Sequence, residues 1–435
     1  MKSVKYFAAL AAFFGAICLV GCGGTPDSGK NPGGNNPPAV TPGGDNPGGN
    51  NPPAVTPGDE VEEKWDIPDK SWSNSSRIRY VRDLGYATGV NAAVDTTQWN
   101  TAKTDLGFAF FDEEIGRLYV AFGDTFNTAQ TEQNSNVVLY TDNLDFTQGI
   151  KWQGALPGQN GSSRTITPLT NHVYQKSSWA WPNAKRSEDI TTASVETCIP
   201  TGCLVLNGVY YMWYMEVDHF EATGEWKTYC TSVMRSEDKG QTWTRVPGLN
   251  WIAQDASGTE GVAPNFAQIY PLDGNDGYVY IYGIPGGRSG GVKLGRVAYA
   301  KIADFEEYEY FKGLDSNKDP IWKKGTNGLK SIKTDNNSYV VAPSCGELSV
   351  HYNPYLQRYV MTYMQNNSQI VMRRSPKPWG TWSSSDSIMG QAELTGLYGG
   401  MSHAAMMTHE GKRIFLLVSE WWPTYNVHLI EVVFE

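Results

Sequence analysis

Residues 104–126 read TDLGFAFFDEEIGRLYVAFGDTF. Two stretches rich in aromatic and β-branched residues, 108–111 and 117–122, flank the turn Glu113-Glu114-Ile115-Gly116, a pattern that predicts a β-hairpin. The two open ends of an antiparallel hairpin lie side by side. Asp105 precedes the first strand and Asp124 follows the second, so both fall on one rim of the sheet. Two carboxylates on one rim suit glycoside hydrolysis, where an acid and a base or nucleophile flank the scissile bond. The competing reading is that each aspartate bonds its own turn.

The same unit recurs along the chain. Its second strands are RLYVAF (117–122), VYYMWY (209–214), YVYIYG (278–283), RYVMTY (358–363) and RIFLLV (413–418). First strands are predicted at 108–111, 202–206, 266–272, 347–352 and 403–408, and third strands at 136–140, 230–235, 293–300, 370–374 and 427–434. A lone hairpin leaves a face uncovered and its edges open, whereas a closed ring of such units does not. The fold class is therefore all-β, a five-bladed β-propeller, with a sandwich of unrelated hairpins as the alternative. A strand near 78–81 is expected to complete the last blade beside 427–434. Ser236-Glu-Asp-Lys-Gly-Gln-Thr-Trp243 fits the S-x-D-x-G-x-T-W Asp box, in which the aspartate bonds its own turn, and 375–382 is a degenerate relative.

Upstream of these units the composition changes. Residues 1–22 have the form of an export signal: Lys2 and Lys5, an apolar run from Tyr6 to Val20, then Leu19-Val20-Gly21-Cys22. The last four resemble a lipobox, which makes Cys22 the expected lipid-attachment site and the mature N-terminus. Residues 23–65 form a linker; NPGGNNPPAVTPGGD at 31–45 recurs almost letter for letter at 46–60. Proline and glycine at that density bury no core. The remaining segment, 66–435, is long enough for one large domain. The expected location is an exported, membrane-anchored lipoprotein at the cell surface or the periplasmic face of an outer membrane, touching the membrane through its lipid alone.

The whole chain has 15 Trp, 24 Tyr and 46 Gly, with 18% charged residues, a balance suited to a β-rich domain with aromatic surfaces for sugars. Its formal charge of −10 argues against nucleic acid as a partner. Cys198, Cys203, Cys230 and Cys345 allow three disulfide connectivities, with Cys198 and Cys203 able to close a small loop, and match no metal-binding spacing. No cofactor or metal is called for, and there is no His-Glu-x-x-His, no Gly-x-Ser-x-Gly and no nucleotide-binding glycine motif.

In a propeller the starts of the innermost strands and the ends of their hairpin partners share one face. Strand starts offer Asp105, Asn265 with Gln268, Glu347 and His403; second-strand ends offer Asp124, Glu216, Arg288, Gln365-Asn366 and Glu420-Trp421-Trp422. The expected catalytic groups are Asp105, Asp124 and Glu347, and the expected sugar contacts are Asn265, Gln268, Arg288, His403 and Trp422. Each has a structural alternative: Glu347 pairing a neighbouring cation, His403 as a satisfied core histidine, Trp422 as packing. Glu216 is read as a solvated strand end and Asp238 as structural.

Val81-Arg-Asp-Leu-Gly85, Thr104-Asp-Leu-Gly107, Gly123-Asp-Thr-Phe126, Asn265-Phe-Ala-Gln268, Gly287-Arg288, Gly346-Glu-Leu-Ser-Val-His-Tyr-Asn-Pro-Tyr355, Pro378-Trp-Gly380 and Leu417-Val-Ser-Glu-Trp421 occur in that order. Together they resemble a group of propeller proteins long carried as a domain of unknown function and now associated with endo-D-arabinanases. The resemblance spans roughly 78–435. It implies a five-bladed propeller hydrolysing arabinofuranosyl linkages, with Asp105 and Asp124 as the acidic pair and Glu347 as a third carboxylate. The cysteines and the long insertion at 157–200 have no place in that pattern. The expected function is an exported glycoside hydrolase acting on a polysaccharide such as D-arabinan. The rivals are a non-catalytic glycan-binding lipoprotein and a sialidase-like glycosidase.

Overall fold

The computed structural model describes residues 73, 75–126, 128, 133–157, 197–255 and 257–435. They lie within one compact unit, Pro68–Glu435. The expected signal with Cys22, the linker at 23–65 and most of the insertion at 157–200 lie outside the described residues. The described residues are mostly β-strand, arranged in antiparallel sheets, with one short α-helix among them at Gly325–Ile332.

The first four predicted hairpins form, and in all five units a third strand pairs with the second. Phe108–Asp112 pairs Arg117–Ala121, which pairs Val138–Thr141. Thr197–Leu206, Val209–Phe220, Trp226–Ser236 and Thr244–Ile252 form a four-stranded meander. Gln268–Asp273, Tyr278–Ile284 and Gly290–Ala298 form the third unit. Strand Tyr339–Asn353 then pairs through its first half with Gly290–Ala298 and through its second half with Arg358–Gln365, so the third and fourth units share one hydrogen-bonded ladder. In the last unit Leu397–Met401 pairs Arg413–Glu420, which pairs Asn426–Phe434. Ile78–Tyr86 completes it, with Ile78 opposite Phe434 and Val81 opposite Val432.

The first strand of this last unit departs from the sequence expectation. Its place is taken by Leu397–Met401, whereas 403–408 is mostly turn, the Met406 N–H donating to the His403 carbonyl at 2.8 Å. A second departure concerns Glu216. Read as solvated, it is fully buried, 3.3 Å from Arg245 and accepting from the Ser232 hydroxyl at 3.0 Å. Its strand runs on to Phe220, which puts Glu216 in the interior of the sheet.

Aromatic side chains fill the spaces between sheets. Phe110 stacks on Tyr119 at 5.0 Å, and Tyr210 from the next unit meets Phe110 edge-on at 5.5 Å while its hydroxyl donates to Asp112. Tyr282 packs edge-on against Trp382 at 6.2 Å and donates to the Pro378 carbonyl. Such pairs add about 0.5–1.5 kcal/mol each beyond the apolar area they remove from water. The Asp box is self-contained: Asp238 accepts from the Thr242 N–H and hydroxyl at 2.8 and 2.6 Å, and Trp243 donates to the Gly240 carbonyl. The four described cysteines are buried. Cys198 and Cys203 occupy one extended strand, which holds them on the order of 16 Å apart and prevents the small loop.

Candidate active site

Asp105 and Asp124 are brought to one rim by the ends of the first hairpin. The Gly123 N–H donates to the Asp105 carbonyl at 2.9 Å, and the Thr104 and Thr125 hydroxyls bond each other at 2.9 Å. Asn136 holds the Gly123 carbonyl at 3.0 Å. Leu106, in the left-handed region at φ 59°, turns the chain into the strand, and its N–H donates to the Ser419 hydroxyl of the last unit. Gly123 is required by proximity: a Cβ there would stand 2.2 Å from Asp105 Oδ1.

Asp105 is 8% exposed. Its Oδ2 accepts from the Tyr398 hydroxyl at 2.9 Å, while Oδ1 is buried without a hydrogen-bond partner among the described residues. Burial pushes its pKa up to about 7, and the charges of Asp124 and Glu347 push the same way against the hydroxyls of Tyr425 and Tyr398. Near neutrality this carboxyl is therefore shared between its two protonation states. Asp124 is half-buried and accepts from the Thr197 hydroxyl of the second unit at 2.8 Å. One buried, proton-holding carboxyl beside a more accessible one is the arrangement that separates acid from base.

Glu347 is 4% exposed and meets Arg288 through two bonds, Nε to Oε2 at 2.8 Å and Nη2 to Oε1 at 2.7 Å. The guanidinium lies over two rings, 4.6 Å from the Tyr398 centroid and 5.2 Å from that of Trp226. Its loop is tightly held. The Arg288 N–H donates to the Gly224 carbonyl, and Ser344 donates to the Arg288 carbonyl. Gln268 donates to the carbonyls of Pro285 and Gly287, both at 2.9 Å. Gln268 and Glu347 also line a cavity of about 10 Å³ with Phe108, Thr201 and Tyr270, where the first strands of four units converge.

The remaining expected contacts fall elsewhere. Asn265 donates to the Lys333 carbonyl at 2.8 Å, which fixes a loop beside the third unit. His403 follows the far end of Leu397–Met401, the end opposite Tyr398; its Nδ1 accepts from the Ala405 N–H and it lies close to His351. Burial lowers its pKa to about 4, and that of His351 to about 3, so both are neutral imidazoles at neutral pH. Trp422 is 56% exposed and Trp421 50%, on the turn that leads to Tyr425. Tyr398 and Tyr425, the two phenols acting on Asp105, are absent from the residues the sequence singles out. Among the described residues no group of three or more His, Cys, Asp and Glu is placed to hold a metal ion.

Residues 91–431 match the family described as a domain of unknown function, DUF4185, and the chain belongs to that family. Two fungal relatives align over most of it. Notoamide biosynthesis cluster protein J of Aspergillus sp. (strain MF297-2) is 24% identical, the alignment covering 76% of this chain and 82% of the relative. Notoamide biosynthesis cluster protein J' of Aspergillus versicolor is 23% identical, covering 75% and 83%. Similar solved structures include the GH43_1 enzyme from Xanthomonas citri complexed with xylotriose, at TM-score 0.42 and 14% identity over 81% of this chain and 89% of that one. Another is Zg3597, a family 117 glycoside hydrolase produced by Zobellia galactanivorans, at TM-score 0.40 and 12% identity over 81% and 89%.

Proposed function

We propose that this protein is an exported, lipid-anchored glycoside hydrolase of five-bladed propeller fold that cleaves arabinofuranosyl linkages in a D-arabinan-type polysaccharide. The observation that carries the chemistry is the Asp105–Asp124 pair, one carboxyl buried with its pKa near 7 and the other half-exposed on the same rim. Asp105 protonates the leaving oxygen, and the Asp124 carboxylate activates water or attacks the anomeric carbon. The substrate class is supported by the ordered motifs that resemble endo-D-arabinanases, and the exposed Trp421 and Trp422 suit sugar ring faces. A sialidase-like reading is disfavoured because Arg288, the arginine expected at the rim, spends its bonds on Glu347.

The test incubates the full chain, in detergent, with D-arabinan and a panel of other polysaccharides, followed by chromatography of released sugars. Release from D-arabinan is expected, and Asp105→Asn and Asp124→Asn should each lose about 10²–10⁴-fold in turnover. Binding without release overturns the enzyme in favour of a glycan-binding protein, and release from a different polymer alone overturns the substrate. The anchor is tested separately. Cys22→Ala should move the chain from the membrane fraction to the soluble one, and unchanged fractionation would remove the lipid.

A further inference from the structure

We propose that Tyr398 is a positioning residue that ties the Asp105 carboxyl to the Arg288–Glu347 ion pair, so that Glu347 serves as the counter-charge of Arg288 and transfers no proton. The proposal rests on the reading of Asp105 as the acid of a glycoside hydrolase. Three contacts build the link. Tyr398 donates its hydroxyl to Asp105 Oδ2 at 2.9 Å, its ring lies 4.6 Å from the Arg288 guanidinium, and that guanidinium bonds both oxygens of Glu347.

The chemistry of each contact points one way. A cation over a phenol ring draws on its π electrons and makes the O–H a stronger donor. Burial holds the Tyr398 phenol well above its ordinary pKa, so it keeps its proton and has it to offer Asp105. Glu347 is 4% exposed with both oxygens committed. To carry a proton it would have to break two charge-assisted bonds and abandon a buried cation. The charged or titratable groups acting on Asp105 are Asp124, Glu347, Tyr398, Tyr425 and the Arg288 guanidinium. Within that set Arg288 is the single cation, and Glu347 decides how much of its charge Asp105 meets.

The deciding measurement follows the Asp105 carboxyl carbon by NMR through a pH titration of the full chain, which requires no substrate. Tyr398→Phe removes a donor to the charged form and should raise the Asp105 midpoint by about one to two pH units. Glu347→Gln leaves the guanidinium charge unbalanced and should lower it. Should that variant fail to fold, Arg288→Met combined with Glu347→Met removes both charges and should move the midpoint less than Tyr398→Phe does. An unmoved midpoint in Tyr398→Phe, or a raised one in Glu347→Gln, overturns the proposal. Turnover adds a second criterion: Glu347→Gln should shift the pH optimum, and a loss of about 10²–10⁴-fold at its own optimum would instead mark Glu347 as a proton-transferring group. If no polysaccharide is cleaved by the wild-type chain, the hydrolase reading fails while the titration still decides the link.

Discussion

Gly123→Ala tests the site without removing any functional group. The backbone at Gly123 lies outside the left-handed region, so alanine is compatible with its conformation. The added methyl group, however, would stand 2.2 Å from Asp105 Oδ1, whereas ordinary contact begins at 3.4 Å. Something must retreat by about 1 Å, and a misplacement of that size at a reacting group costs about 10²-fold in rate. Retreat of the Leu106 side chain does not relieve the contact, because its Cδ1 is already at 3.4 Å. The carboxyl has to turn, and it turns at the oxygen that has no partner among the described residues. Overpacking of this kind costs about 1–3 kcal/mol of stability, which a large β domain should survive. The assay is turnover on D-arabinan beside urea unfolding of the same preparation. Turnover within twofold of wild type in a folded variant would refute the placement of Asp105 at the reacting centre.

Asp105 also makes stability depend on pH. Its folded pKa, about 7, lies above the unfolded value of about 3.9, so its contribution is fully present below about pH 4 and is lost as pH rises towards 7. The loss is on the order of 4 kcal/mol at most, and Asp105→Asn should therefore stabilise the domain more at pH 8 than at pH 4; equal effects in urea unfolding would contradict this. Glu216→Gln should destabilise by about 3–5 kcal/mol because Arg245 is left as a buried, uncompensated charge, and a change below about 1 kcal/mol would show that water reaches the pair.

Where the chain alternates β-branched and aromatic residues around a short polar turn, its course is legible without a structure, as at 108–122 and 278–284. The last unit departs from its sequence pattern for a physical reason. Its first strand is Leu-Tyr-Gly-Gly-Met, and Gly399 and Gly400 both have positive φ, so the segment carries the composition of a loop. A strand placed at 403–408 gives His403 the position that belongs to Tyr398. Glu216 reads as solvated because strand Val209–Phe220 outruns its aromatic core VYYMWY. The Asp105–Asp124 rim could be read from hairpin geometry alone. The partner of Arg288 could not, since Glu347 is fixed beside it by pairing between Gly290 and Cys345, a contact between the third and fourth units made by residues far apart in the sequence.

That pairing sets where the site can give way. Gly290 and Cys345 each stand two residues from one member of the Arg288–Glu347 pair, and both belong to the ladder that strand Tyr339–Asn353 carries from one unit into the next. Arg288 and Glu347 are thereby mounted on a single stiff frame. Asp124 stands on a different support, between strand Arg117–Ala121 and the short strand Thr125–Phe126, and its carboxylate reaches across to the Thr197 hydroxyl on a separate sheet. A shift between those two sheets would therefore act on the Asp124 side of the rim and leave the Arg288–Glu347 pair intact. Substitutions that widen or narrow substrate choice are then best sought around Thr197 and the 123–126 turn.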